Sequence, residues 1–281
     1  MDKPEPFLAV RVHHLDQSPG CTGLCVGYER GNWRAEQLAH HAMEWLPEFA
    51  LSAAECEKMS HANAVRFMRR AAKAVYDSQK FEKRGEFGEL FLHIAIRQVF
   101  GSLPAISKLY YKTANNETVK GFDAVHVVGL PGELELWIGE AKFYKDISDA
   151  IREVVRELDD HTKTDYLRSE FALITNKIDD SWEHSETLKR LLDPNTSLDE
   201  VFTRTCIPVL LTYDSPVLAA HTACDDAYAA AFTEEIETYW RRFAQKDLPA
   251  ELRIHLFLLP LNTKEDLIVA LDKRLKQWQE R

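Results

Sequence analysis

The chain has 281 residues, 45% of them hydrophobic and 28% charged, with a formal net charge of -10. That length and balance suit one enlarged domain, or a domain with a smaller appendage, and give no sign of a disordered tract. The acidic balance argues against non-specific nucleic-acid binding by the whole surface, but it leaves room for a local basic groove.

The opening residues, Met1-Asp2-Lys3-Pro4-Glu5-Pro6, lack the basic and apolar parts of a secretory signal. No apolar run approaches the roughly 18 residues of a membrane span; the stretch 254–261 contains His255 and stops early. A cytosolic, cytoplasmic protein without membrane contact is expected. The five cysteines, Cys21, Cys25, Cys56, Cys206 and Cys224, are an odd and scattered set, which argues against a disulfide framework. Cys21 and Cys25 form the only close pair, and no second pair completes a four-ligand zinc set.

In chain order, residues 7–13 have strand composition, and the four glycines between residues 20 and 31 suggest turns and short strands. Residues 34–76 favour helices, with interruptions expected near Pro47 and Ser60. Within and after this region lie seven basic residues, Arg66, Arg69, Arg70, Lys73, Lys80, Lys83 and Arg84, against Asp77 and Glu82. Arg66, Arg69, Arg70 and Lys73 recur at helical spacing and so share a face. Such a stripe can neutralise adjacent phosphates, which makes it the candidate nucleic-acid contact. A solvated face or an acidic partner surface is the plainer alternative. Residues 1–79 read as an N-terminal extension with a possible partner contact, and residues 80–281 as the core domain.

Residues 86–100 then read as a helix with Phe87, Leu90, Phe91 and Ile94 on its apolar face. Strands are expected at 108–112, 122–128 and 134–140, with the last two separated by the break Gly129-Leu-Pro-Gly132. A helix follows, for which Ser148 is a plausible cap and on which Ile151, Val154, Val155 and Leu158 fall on one face. Residues 171–175 and 206–212 read as buried parallel strands. A helix at 227–243, a strand at 252–259 and a final amphipathic helix capped by Thr263 complete the order. This alternation predicts an α/β fold with a central mixed sheet flanked by helices.

The chemistry concentrates at Gly121-Phe122-Asp123 and Gly139-Glu140-Ala141-Lys142. If the intervening break is a tight turn, Asp123 and Glu140 lie near the same end of an antiparallel pair. Both are hard oxygen ligands suited to Mg²⁺ or Mn²⁺. On a strand, Lys142 points to the same face as Glu140 and can orient water or stabilise phosphate charge. A third carboxylate is expected from the preceding helix, where Glu89 is preferred because it aligns with His93, and Glu86 is the alternate. A solvent-facing carboxylate is the plainer reading of either, and a structural role the plainer reading of His93.

These residues resemble the active-site pattern of the PD-(D/E)xK nuclease superfamily, with its restriction-endonuclease-like core. More specifically, Arg84-Gly-Glu-Phe-Gly-Glu89, Gly-Phe-Asp123 and Ile-Gly-Glu-Ala-Lys-Phe-Tyr144 resemble the HamA family, the nuclease-like component of Hachiman anti-phage defence systems. Phe122 stands where the superfamily label has proline, a tolerant position. The resemblance covers residues 80–175, and the flanks only by length and order. It implies a Mg²⁺-dependent deoxyribonuclease, an endonuclease that hydrolyses phosphodiesters with Glu89, Asp123, Glu140 and Lys142. It also implies a partner, the superfamily 2 helicase HamB, that restrains the nuclease until DNA is engaged. The competing readings are a catalytically inactive nuclease-like module that regulates the helicase, and a nuclease acting mainly on RNA.

Overall fold

A computed structural model describes residues 3–75, 85–107, 121–129 and 134–280. Its frame is a seven-stranded mixed sheet in the order β1-β2-β9-β8-β7-β6-β5. The strands are β1 (Ala9–His14), β2 (Gly20–Cys25), β5 (Leu103–Ile106), β6 (Ala124–Val128), β7 (Glu135–Phe143), β8 (Thr205–Asp214) and β9 (Arg253–Leu261). A two-stranded ribbon, β3 (Tyr28–Glu29) with β4 (Asn32–Trp33), lies outside it. Strands β2, β9, β8 and β7 run parallel, while β1, β6 and β5 join antiparallel. The parallel centre explains the near-continuous apolar runs of β8 and β9, which are covered on both faces.

The helices described are α1 (Ala35–Ala50), α2 (Ala53–Glu57), α3 (Ala64–Val75), α4 (Gly85–Phe100), α5 (Ile147–His161), α6 (Thr164–Lys177), α7 (Ser185–Leu191), α8 (Leu198–Thr203), α9 (Pro216–Ala220), α10 (Asp226–Ala244) and α11 (Lys264–Gln279). They cover the sheet as two layers, each with its own core. One core joins α1, α3, α4 and α11 to Trp137, Ala141, Phe143, Leu210 and Phe257. The other joins α5, α6 and α10 to Leu136, Ile138, Val209, Leu211 and Leu256. Strand side chains alternate between faces, so the even positions of β7, among them Glu140 and Lys142, belong to the α5 side. Because β1 and β2 extend this sheet and α1 shares the first core with α4 and α11, residues 3–75 pack with the rest of the described chain.

Helix α4 is buried on nearly every side from Phe87 to Arg97, because it lies between the sheet and α1. It therefore has no solvent-facing stripe, and the expected amphipathic face is a helix enclosed all round. Close approach to β7 comes through two glycines. A Cβ at Gly88 would sit 3.0 Å from the Phe143 Cβ, and one at Gly139 would sit 2.8 Å from Leu92 Cδ2. Helix α4 is anchored to α1 by Arg97, whose Nε and Nη2 donate to Glu48 at 2.8 and 2.7 Å. His93 bridges Glu48 at 3.1 Å and His126 at 3.2 Å, and His126 bonds Ser102 at 2.8 Å. His93 is thus a structural link among α1, α4 and β6.

Several sequence expectations are corrected. Residues 171–175 lie inside α6, not in a strand: Leu167, Glu170, Phe171 and Ile174 are buried at helical intervals, and Leu173 is exposed. Helix α5 is capped by Asp146, whose side chain accepts from the backbone N–H groups of Ser148 and Asp149 at 2.7 and 3.0 Å, so Ser148 is not the cap. Helix α1 runs through Pro47; the break falls at Leu51, and Ser52 then caps α2 with a Glu55 capping box. The Thr263 cap and the buried Leu267, Leu271 and Leu275 of α11 agree with the expectation. The strand expected at 108–112 lies outside the described residues, as does most of the break after Gly129. No helix among the described residues is long and apolar enough to cross a membrane.

Candidate active site

Strand β6 pairs antiparallel with β7 so that Ala124 stands opposite Gly139. This register brings Asp123, just before β6, alongside the second half of β7. Asp123 N donates to Gly139 O at 2.7 Å, and Asp123 Oδ2 accepts from Ala141 N at 2.9 Å. The Asp123 carboxylate therefore sits on the backbone between Glu140 and Lys142. The expected meeting of Asp123 and the Glu140-Ala141-Lys142 segment is present, through this register and these two bonds.

Glu140 is only 2% exposed, and Lys142 is partly buried beside it. The Glu140 carboxylate meets His161 Nδ1 at 2.6 Å, and Lys142 Nζ donates to Glu157 on the same helix, α5. Burial pushes Glu140 up to about 7; the His161 hydrogen bond opposes this and the Asp123 charge adds to it. For Lys142, burial favours the neutral amine, but the Glu157 carboxylate, followed by Glu140 and Asp123, outweighs it and raises the ammonium above its ordinary value. His161 is likewise raised: burial opposes its charge, and Glu140 stabilises it more strongly. Its ring stacks on Tyr166 with centroids 4.4 Å apart and planes 7° apart, while Phe122 meets it edge-on at 5.5 Å.

His161, Glu157 and Tyr166 were not singled out from the sequence. His161 continues the buried stripe Ile151, Val154 and Leu158 of α5, so a histidine on an apolar face aimed at the motif strand was the legible signal.

Glu89 enters from the other layer. It follows Gly88, where α4 rests on Ala141 and Phe143, and it is buried at 9% exposure; Glu86 is half-buried in the first turn of α4. Among the described residues, no three His, Cys, Asp or Glu side chains converge as a ready-made metal-ligand group. The chemistry of Asp123 and Glu140 nevertheless fits a hard divalent cation, because two adjacent carboxylates, one desolvated, are what such a charge stabilises.

The four basic residues of α3, Arg66, Arg69, Arg70 and Lys73, are exposed, while Phe67, Ala71, Ala72 and Val75 are buried. Arg70 pairs with Glu55, and the Arg66 guanidinium lies 5.6 Å from the Phe67 ring centroid. Lys80, Lys83 and Arg84 lie outside the described residues.

A mixed seven-stranded sheet between helical layers, with two carboxylates and a lysine gathered on its paired strands β6 and β7, defines an α/β protein of nuclease-like architecture. The chain belongs to the HamA family, whose model matches residues 4–275. None of the curated proteins matches it.

Proposed function

We propose that this HamA-family chain is the metal-dependent DNA endonuclease effector of a two-component anti-phage complex, restrained and activated by a partner helicase of superfamily 2, HamB. The observation that carries the reading is the tie between Asp123 and the Ala141 backbone, which gathers two carboxylates and a charged lysine at one strand pair. In this reading residues 80–281 form a PD-(D/E)xK domain. Asp123 and Glu140 hold Mg²⁺ or Mn²⁺, and a third carboxylate from α4, Glu89 or Glu86, would have to reach the ion from the layer opposite the Glu140 face.

A bound ion supplies Lewis acidity toward phosphate and makes water more acidic. The chain's own residues do the rest. Asp123 is oriented by the Ala141 amide. Lys142, kept protonated, lies two positions from Glu140 on the same strand face and can stabilise charge on the phosphate or orient the attacking water. The exposed stripe of Arg66, Arg69, Arg70 and Lys73, with Lys80, Lys83 and Arg84 next to it in sequence, contacts the DNA backbone. The acidic remainder suits DNA delivered by the helicase, which residues 1–79 would help to contact.

The absence of a three-ligand group among the described residues favours a second reading, an inactive nuclease-like module that regulates the helicase. Phage plating separates the two. Cells carrying this gene and its helicase gene should resist phage, and Glu140→Ala or Lys142→Ala should abolish that resistance with protein levels unchanged. Full protection by both variants supports the inactive module.

A further inference from the structure

Helix α5 meets the motif strand at two points. Glu157 accepts from Lys142 Nζ, and His161 Nδ1 meets Glu140 Oε1 at 2.6 Å. Two residues along a strand span about 6.7 Å, and four along a helix rise about 6 Å. The two spacings match, with helix and strand running in opposite directions. Leu158, between these residues, and Val154, about one turn earlier, bury into the core, fixing the rotation of α5 over the sheet.

The ring of His161 is itself held in place. Tyr166, at the start of α6, stacks flat on it, and Phe122, adjacent to Asp123, closes its edge. Phe122 and Tyr166 also meet edge-on, at 6.0 Å. The three rings fix the plane in which Nδ1 faces Glu140. Such outer partners commonly determine the orientation of a ligating carboxylate.

We infer that α5 is a two-point template for the motif strand, with His161 as the positioning residue for Glu140 and Glu157 as the positioning residue for Lys142. The inference rests on the nuclease reading and assigns the two residues separable effects. His161 acts on metal affinity through Glu140, and Glu157 acts on the chemical step through Lys142.

The test is calorimetric Mn²⁺ binding to the full chain, alongside DNA cleavage and thermal melting. His161→Leu should weaken Mn²⁺ binding roughly 10- to 100-fold. His161→Asn, whose amide nitrogen takes the place of Nδ1, should bind within about threefold of wild type. His161→Gln places its nitrogen nearer the Nε2 position and should resemble Leu, which keeps the test open if the Leu variant does not fold. Glu157→Gln should bind Mn²⁺ like wild type yet cut DNA at least roughly tenfold more slowly. Wild-type affinity in the Leu or Gln variant, or an Asn variant no better than Gln, overturns the template while leaving the nuclease reading intact. A wild-type chain that takes up no Mn²⁺ overturns the nuclease reading and the template with it.

Discussion

Asp123 Oδ2 accepts a hydrogen bond from Ala141 N at 2.9 Å, so the carboxylate before β6 is tied to the backbone of β7 between Glu140 and Lys142. This bond uses the oxygen as an acceptor, whereas metal binding needs the charge. Asp123→Asn keeps an acceptor oxygen, so it should melt close to wild type while binding Mn²⁺ at least roughly tenfold more weakly. Asp123→Ala should lose a further stabilisation of about 1 kcal/mol. Melting curves and calorimetry on both variants check the separation.

The metal-free protein should lose stability as pH rises through the range set by Glu140. Burial pushes this carboxyl from 4.5 up to about 7, with the His161 hydrogen bond opposing and the Asp123 charge adding. Across that window the folded protein retains a proton that the unfolded chain has released, so stability falls with rising pH. His161 shares this titration with Glu140 as a coupled pair and adds no separate pH dependence, because the charge that raises it is that of the Glu140 carboxylate. Glu140→Gln removes this dependence. Its melting temperature relative to wild type should increase by roughly 5 °C between about pH 5 and about pH 8. A constant difference would contradict the burial argument.

Glu48 should be a large single contributor to the layer formed by α1 and α4. It accepts two bonds from Arg97 and meets His93, and these partners, working against burial, hold its carboxyl down to about 2. Glu48→Ala leaves the Arg97 guanidinium buried without its counter-charge, and should cost about 3–5 kcal/mol in urea unfolding. Because the folded value is depressed, the Glu48 contribution is present above its ordinary value of 4.5 and is lost as pH falls toward 2.

The α3 stripe makes a salt-dependent prediction. Arg70 already pairs with Glu55, so Arg66, Arg69 and Lys73 are the residues best placed to bind phosphate. Replacing those three with Ala should flatten the dependence of DNA affinity on salt by roughly 2–3 in log–log slope. An unchanged slope with intact folding would remove the stripe from the interface.

The sequence made the motif strands legible because their chemistry is local. Asp123, just before β6, and Glu140 on β7 are brought together by an antiparallel pair whose register follows from two short apolar runs and a break. Strands β8 and β9 were equally plain, since parallel strands covered on both faces are apolar throughout. Residues 171–175 misled for the same reason: a five-residue apolar window does not separate a buried strand from one side of a helix. Only the wider pattern of Leu167, Glu170, Phe171 and Ile174 resolves α6 as a helix. Helix α4 lacked the expected polar face because α1 covers it, a tertiary contact that periodicity does not encode. The pairings of His161 with Glu140 and of Glu157 with Lys142 were hidden by distance, 21 and 15 residues, although His161 itself stood out on the apolar stripe of α5. The sheet's extension through β1 and β2 depends on β2 pairing with β9 near the other end of the chain, a pairing with no local signal.

The most direct measurement is DNA cleavage by the purified chain with the proposed helicase partner, in Mg²⁺ and in chelator, for wild type, Glu140→Gln and Lys142→Ala. A metal-dependent nuclease centred on Asp123, Glu140 and Lys142 cuts only as wild type and only with the metal, and each variant should fall by at least roughly a hundredfold. Equal cleavage by folded Lys142→Ala and Glu140→Gln, or undiminished cleavage in chelator, would contradict that assignment.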